Sequence, residues 1–428
     1  MKPNHIIQTI IGILALLVGY PRGGSLFVLL MIPLVIYLII KKDAGFLPAL
    51  MLHCASDTSV AYVVFWGMMI MCIINSRIIW KDPKTRFIFL VLLSLFPLYV
   101  WLLYQKVTLD YMLLQHALYY TTYYITFWGF LYCYIISSTF NRNTVKLIIA
   151  SFFIMWLIIS FFPDVRHARV FFMIVYLGVV YGAYLLYAKK RVLGLLTILV
   201  FFPIFYASGE ITFTELLVLL YALAIFILWC FNKNSIVKKS VSIIPYLVIF
   251  VLMIYGINNY DNVVVNAIDD KMDFSDWNSF SNRAQYKFFG DRAIYWDASW
   301  KQLLEYKPIL PLHDIPNIST YSILTGKLLD DLEFGAHNTP LQLLRIFGFL
   351  MGGLLIFLYI YYTVISSSVF NSKGDKAMMI PLFAVVFADV IILFLTGTAV
   401  MLSSFALFSF GLLGVAYGIS KDKEGNLI

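Results

Sequence analysis

The sequence predicts an all-α polytopic membrane protein with about 12–14 transmembrane helices and one large outer loop that contains short amphipathic helices. Three observations predict it. Of 428 residues, 61% are hydrophobic and only 13% charged, too few polar groups to cover a water-soluble protein of this length. Apolar runs recur from end to end, each long enough or nearly long enough to span a hydrocarbon core of roughly 30 Å. The basic residues are confined to short segments between those runs, the pattern of cytoplasmic loops.

The runs 6–20 and 25–40 form a hairpin around Pro21, Arg22, Gly23 and Gly24, ending at Lys41 and Lys42. Residues 6–20 resemble a signal peptide in composition, but no A-x-A site follows and further spans do, so an uncleaved first helix is expected. Reaching the outside again by residue 58 requires a short crossing through "GFLPALMLHCAS" or a different N-terminal arrangement. Spans follow at 87–104, the Tyr-rich 111–138, 147–162, 170–188, 192–206, 211–231 and 240–258. Alternation puts "QKVTLD" and "PDVRHAR" outside, together with the turn at Ser208–Glu210. The chain thus divides into spans with short loops over 1–256, a large outer loop over 257–339, and C-terminal spans over 340–428. Those last spans read as 340–369, 378–396 and 398–420.

The formal charge of +8 would suit a nucleic-acid binder, but its placement between spans argues against nucleic acid as a partner. Cys54, Cys72, Cys133 and Cys230 lie in or beside apolar runs without CxxC spacing, and read as small buried hydrophobes. The Asp269/Asp270/Asp273/Asp276 cluster lacks the glycine turn and distal glutamate of a calcium loop, so no metal site is expected there. No internal repeat and no Walker motif is present, which weighs against an inverted-repeat transporter and an ATP-driven one.

Polar chemistry concentrates in the outer loop. From Arg292 the sequence predicts a helix of about four turns, ended by Pro308 and Pro311. Arg292, Trp296, Trp300 and Leu303/Leu304 share one face, with Asp297 and Lys301 as an i,i+4 pair on another. A tryptophan stripe on an outer helix suits the membrane–water interface. At that depth Arg292 is either a snorkelling arginine or a phosphate clamp, its guanidinium fork matching phosphate oxygens. Downstream, Thr339 is a favourable N-cap and Pro340 suits the first helical position, so His337 and Asn338 stand at a helix start. Such a terminus attracts anions and lowers a histidine's pKa, favouring the neutral imidazole that a general base needs. Gly348 and Gly352, four apart, suit close helix packing. Within the spans, Asp389 is a costly mid-span carboxylate that needs a cavity or partner. Glu215 and His116 have ordinary structural readings, one near a helix start and one hydrogen-bonded in the interior.

The order of Arg292, Trp296, "LLEYKPIL" and then "AHNTPLQLLRIFGFLMGG" resembles the shared domain of bacterial O-antigen polymerases and O-antigen ligases. The resemblance is specific from about Asp291 to Gly353 and loose from about residue 147 to the C-terminus. It implies an inverting glycosyl transfer, independent of metal and cofactor, on the periplasmic face of a bacterial inner membrane. The donor would be an undecaprenyl-pyrophosphate-linked oligosaccharide, in a multi-pass protein surrounded by membrane lipid. His337 would activate the acceptor hydroxyl, and Arg292 would bind the pyrophosphate, with Trp296 and Asn338 beside the substrate. One departure stands out: the turn "YASGEITFTE" has Gly209 and Glu210 where family members often carry an arginine. Arg166, Arg169 and Arg345 are then the candidates for a second phosphate-binding cation. The resemblance covers both polymerases and ligases, and the missing arginine favours a polymerase joining lipid-linked repeat units, with a chain-length regulator as a candidate partner. A ligase moving the glycan onto lipid A-core or protein is the alternative, and a transporter of lipid-linked sugar a third.

Overall fold

In a computed structural model, the chain is described over residues 2–22, 25–109, 114–161, 168–207, 213–231, 244–248, 251, 254, 293–311, 319–321, 328–330, 338–371, 374–396 and 405–421. These residues are almost entirely helical. In chain order they form α1 (Pro3–Arg22), α2 (Ser25–Ile40), α3 (Leu47–Ser56), α4 (Thr58–Ile74), α5 (Ser76–Trp80), α6 (Pro83–Thr108), α7 (Leu114–Thr126), α8 (Trp128–Ile136), α9 (Arg142–Phe161), α10 (Ala168–Tyr187), α11 (Arg191–Ala207) and α12 (Phe213–Phe231). There follow α13 (Ala293–Tyr306), α14 (Thr339–Ser366), α15 (Ile380–Thr396) and α16 (Leu412–Lys421), the last entered through a π-helical turn at Leu407–Gly411. Between α13 and α14, β1 (Ser319–Tyr321) pairs antiparallel with β2 (Leu328–Asp330), with Thr320 opposite Leu329. The sequence reading expected only helices in this loop; Thr320 and Tyr321 are the β-favouring residues it passed over.

Among the described residues three helices are long and apolar enough to cross a membrane: Pro83–Thr108, Thr339–Asn371 and Ala377–Phe394. Their neighbours fit the same solvent. On α6, Phe87, Leu90, Leu93, Val100 and Trp101 are exposed while Ile88, Leu92, Leu95, Tyr99 and Leu102 are buried. α11 turns Val192, Leu195, Leu199 and Phe202 outward. Large apolar side chains on the outside of this many helices are stable only against hydrocarbon.

Polar residues mark where these helices begin. Asp57 accepts hydrogen bonds from the amides of Ser59 (2.6 Å) and Val60 (3.3 Å) at the start of α4. Asp82 accepts from Thr85 N (3.3 Å) at the start of α6, with Pro83 in the first turn. The run 111–138 is two helices rather than one span, α7 and α8 meeting at Phe127.

Contacts between helix ends fix the N-terminal path. Lys42, just past α2, donates to Asn75, just past α4 (Nζ–Oδ1 3.0 Å), so α2 and α4 run parallel and end together. The intervening α3, where a short crossing through "GFLPALMLHCAS" was expected, is a ten-residue helix buried at every residue, about 15 Å long. α1 lies parallel to α3, with His5 beside Gly45 and Gly12 beside Ala49 and Leu52.

Further bonds gather helix ends at the same level. Asp82 accepts from the Tyr417 hydroxyl (2.6 Å) and lies 3.6 Å from Lys421 Nζ, while Ser368 donates to Ser420 (2.7 Å). One end of the molecule therefore collects Lys2, Lys41, Lys42, Arg77, Asp82 and Lys421. α6 runs from there to the opposite end, about 39 Å at 1.5 Å per residue over its 26 residues. Residues 348–350 of α14 lie toward that opposite end, since the 308–311 backbone that meets Phe349 and Leu350 also meets Gln105 near the end of α6.

Candidate functional site

The candidate site is built on the start of α14. Asn338 is fully buried and extended (φ −149°, ψ 114°), and its Oδ1 accepts from Leu341 N at 3.0 Å. It is the N-cap, one residue before the expected Thr339, so Thr339 and Pro340 occupy the first two helical positions. The shift has a simple cause: asparagine is the stronger cap, and Pro340 still falls in the first turn where its missing N–H leaves no bond unmade. Asn338, expected beside substrate, thus spends its carbonyl oxygen on shaping the helix start that follows His337.

α14 does not run straight. Gly348 has φ 72° and ψ 176°, a conformation that breaks the helix into 339–347 and 349–366. The break frees the amides of Phe349 and Leu350, which donate to the carbonyls of Pro308 (2.7 Å) and Ile309 (3.0 Å). The segment after α13 thereby caps the second half of α14 with its own backbone. A Cβ on Gly348 would lie 2.7 Å from the Leu310 carbonyl, and one on Gly352 would lie 2.6 Å from Leu343 O. The two glycines were expected to let separate spans pack closely. Instead they let one helix fold back on itself and admit the 308–310 backbone.

α13 packs against α14, and its face differs from the sequence reading. Trp296, Ser299 and Leu303 are buried and Trp300 is half-buried, whereas Leu304 is exposed. The Trp296 side is covered by protein. As expected the helix stops before Pro308, with Lys307 at φ 43° making the turn.

Arg345, one of the candidates for the second phosphate-binding cation, is only 4% exposed. A second cation, Lys106 on α6, is also buried. Gln105 and Lys106 were read as the start of an outer loop, but α6 continues to Thr108 and buries both. With its amide turned to satisfy both contacts, Gln105 donates to Pro311 O (3.3 Å) and accepts from Trp101 Nε1 (3.1 Å), tying α6 to the segment that caps α14. The signal was present: Ile88, Leu92, Leu95, Tyr99 and Leu102 set a helical stripe whose next members are Gln105 and Lys106. Lys106 and Arg345 are both engaged in interactions, as buried cations must be. Asp389, also buried, is likewise not left alone.

Arg292, His337, Arg166 and His167 lie outside the described residues, as does the acidic stretch 269–276. Arg169 falls in the first turn of α10, but its side chain is outside the described set, as are those of His116 and Asp297. Cys54, Cys72 and Cys133 are buried in the core and Cys230 is half-buried. Among the described residues no three His, Cys, Asp or Glu side chains come together as a metal site. α6, α13 and α14 each contribute to the candidate region: α6 through Gln105 at Pro311, α13 through the 308–309 carbonyls that follow it, and α14 through the break at Gly348. Comparison with family models, with curated proteins and with solved structures finds no match.

Proposed function

We propose that this protein is a surface-polysaccharide polymerase of the O-antigen type. In this reading it crosses the bacterial inner membrane about 12–14 times. The end that holds Lys41, Lys42 and Arg77 faces the cytoplasm by the positive-inside rule, which turns the α13/α14 junction toward the periplasm. The observation that carries the proposal is the broken start of α14, capped by Asn338 and clasped by the backbone that follows α13. It supports the reading because it ties the segment that follows α13 to α14, the two elements whose first residues come just after Arg292 and His337 in the sequence. His337 would take the proton from an acceptor hydroxyl as that oxygen attacks the sugar carbon linked to pyrophosphate. Arg292 would bind the departing pyrophosphate, and a single displacement would invert the configuration. Lys106, buried near the end of α6, joins Arg345, Arg166 and Arg169 as a candidate for the second cation.

The test is genetic and biochemical. In cells lacking the wild-type gene, His337→Ala is expected to abolish glycan chain growth while the protein still inserts and folds. A normal polymer ladder from that variant would remove His337 from the mechanism. Deleting the gene separates the related readings: core bearing a single repeat unit marks a lost polymerase, and bare core with accumulated lipid-linked polymer marks a lost ligase. Lipid-linked units stranded on the cytoplasmic side would mark a transporter.

A further inference from the structure

A second feature lies away from that junction. α2 and α4, running parallel, leave an apolar groove of about 710 Å³ between them, closed at one side by Leu118 of α7. Ile36, Ile40, Tyr62, Trp66, Gly67 and Ile70 line it. Ile36, Ile40 and Ile70 are each more than 40% exposed, so the groove opens sideways, where hydrocarbon would lie. It follows α4 from Ser59 to Ile74, roughly 22 Å at 1.5 Å per residue, which exceeds the depth of one leaflet's hydrocarbon.

Its two ends differ. The Ile40/Ile74 end opens directly beneath a basic cluster. Lys42 is fixed there by its bond to Asn75 (3.0 Å), Lys41 stands 5.1 Å from the Tyr37 ring, and Arg77 is exposed one turn beyond Ile74. Among the described residues, the acids at this end have other partners. Asp43 is taken by Lys2 and His5, and Asp82 by Tyr417 and Lys421. We propose that this groove binds one acyl chain of an anionic glycerophospholipid, with the headgroup phosphate held by Lys41, Lys42 and Arg77. A second copy of the chain is the weaker occupant, because a two-fold contact through this groove would bring two basic clusters together.

The experiment uses the purified full chain, stripped of lipid in detergent and exposed to phosphatidylglycerol or phosphatidylcholine, with bound lipid counted by mass measurement of the intact protein. One phosphatidylglycerol per chain is expected, retained roughly tenfold better than phosphatidylcholine. The triple variant Lys41→Gln/Lys42→Gln/Arg77→Gln is expected to erase that preference. All three side chains are exposed, so the variant keeps the buried contacts between α2 and α4. Ile70→Trp, filling the groove, is expected to reduce retention of both lipids. Equal retention of the two lipids by the wild-type chain would overturn the proposal. So would indifference to Ile70→Trp, or a dimer that covers the groove.

Discussion

Gly348 is the residue on which the candidate site turns. Its φ of 72° with ψ of 176° lies in a region open almost only to glycine, and the space a side chain needs is filled by the Leu310 carbonyl. Gly348→Ala is therefore expected to cost about 1–3 kcal/mol from the backbone conformation, with the displaced 308–310 segment adding to it. Gly353 provides the control, since a Cβ there meets nothing within 4 Å. Gly353→Ala is expected to be neutral or to stabilise by up to ~1 kcal/mol, as alanine does in a helix interior. Thermal unfolding of both variants in one detergent checks the pair, and similar melting temperatures would mean that the break at Gly348 is not required. The sequence could place a helix start at Thr339-Pro340 within one residue because caps and prolines act locally. It could not show the break nine residues later. The apolar run continues through Gly348 without interruption, and the bonds that stabilise the break come from Pro308 and Ile309, some forty residues upstream.

Helices in this protein are joined by tyrosines whose hydroxyls reach the backbone of a neighbour. Tyr124 donates to Leu92 O (2.6 Å), Tyr132 to Ile39 O (2.9 Å), Tyr359 to Val390 O (2.6 Å) and Tyr362 to Phe127 O (3.1 Å). The last of these acts at the joint of α7 and α8, where regular helical bonding is interrupted and Phe127 O holds only a 3.3 Å bond from Phe130 N. The Tyr362 ring also stacks on Phe130, centroids 4.1 Å apart. Tyr362→Phe keeps the stack and removes the bond, and should cost about 0.5–1.5 kcal/mol. Tyr362→Ala removes both and should cost about 3–5 kcal/mol. Melting curves of the two variants separate these shares, and equal losses would show that the hydroxyl alone holds the joint. The chain's wealth of tyrosine was visible in the sequence, and so was the apolar character of the run 111–138. Its division into α7 and α8 was not, because no proline marks it and the partner that accommodates the joint lies 235 residues downstream.

At the scale of the whole molecule, polar groups collect at two opposite ends, and the basic end fastens the N-terminal helix to the rest. Asp43 lies 3.0 Å from His5 Nε2 and 3.1 Å from Lys2 Nζ of that first segment, and accepts from Gly45 N at 2.9 Å. Partial burial works against its ionisation, but the Gly45 amide, Lys2 and His5 together outweigh it and hold the carboxyl below its ordinary value of 3.8. A carboxyl whose pKa is lower in the folded protein than in the unfolded chain contributes stability that is fully present above the unfolded value. That contribution fades as pH falls through the folded one. Melting temperature is therefore expected to hold steady from neutral pH down to about 5 and to decline through the region of 3.8 and below, so far as Asp43 governs it. Asp43→Asn should melt lower than wild type at pH 6, by an amount on the order of 1 kcal/mol because Lys2 is largely exposed and its share is screened. Its own acid decline should be shallower, so that the two curves converge toward pH 3. Parallel curves would assign the acid sensitivity to other carboxylates and leave α1 held by its apolar contacts with α3, where Gly12 meets Leu52 and Ala49.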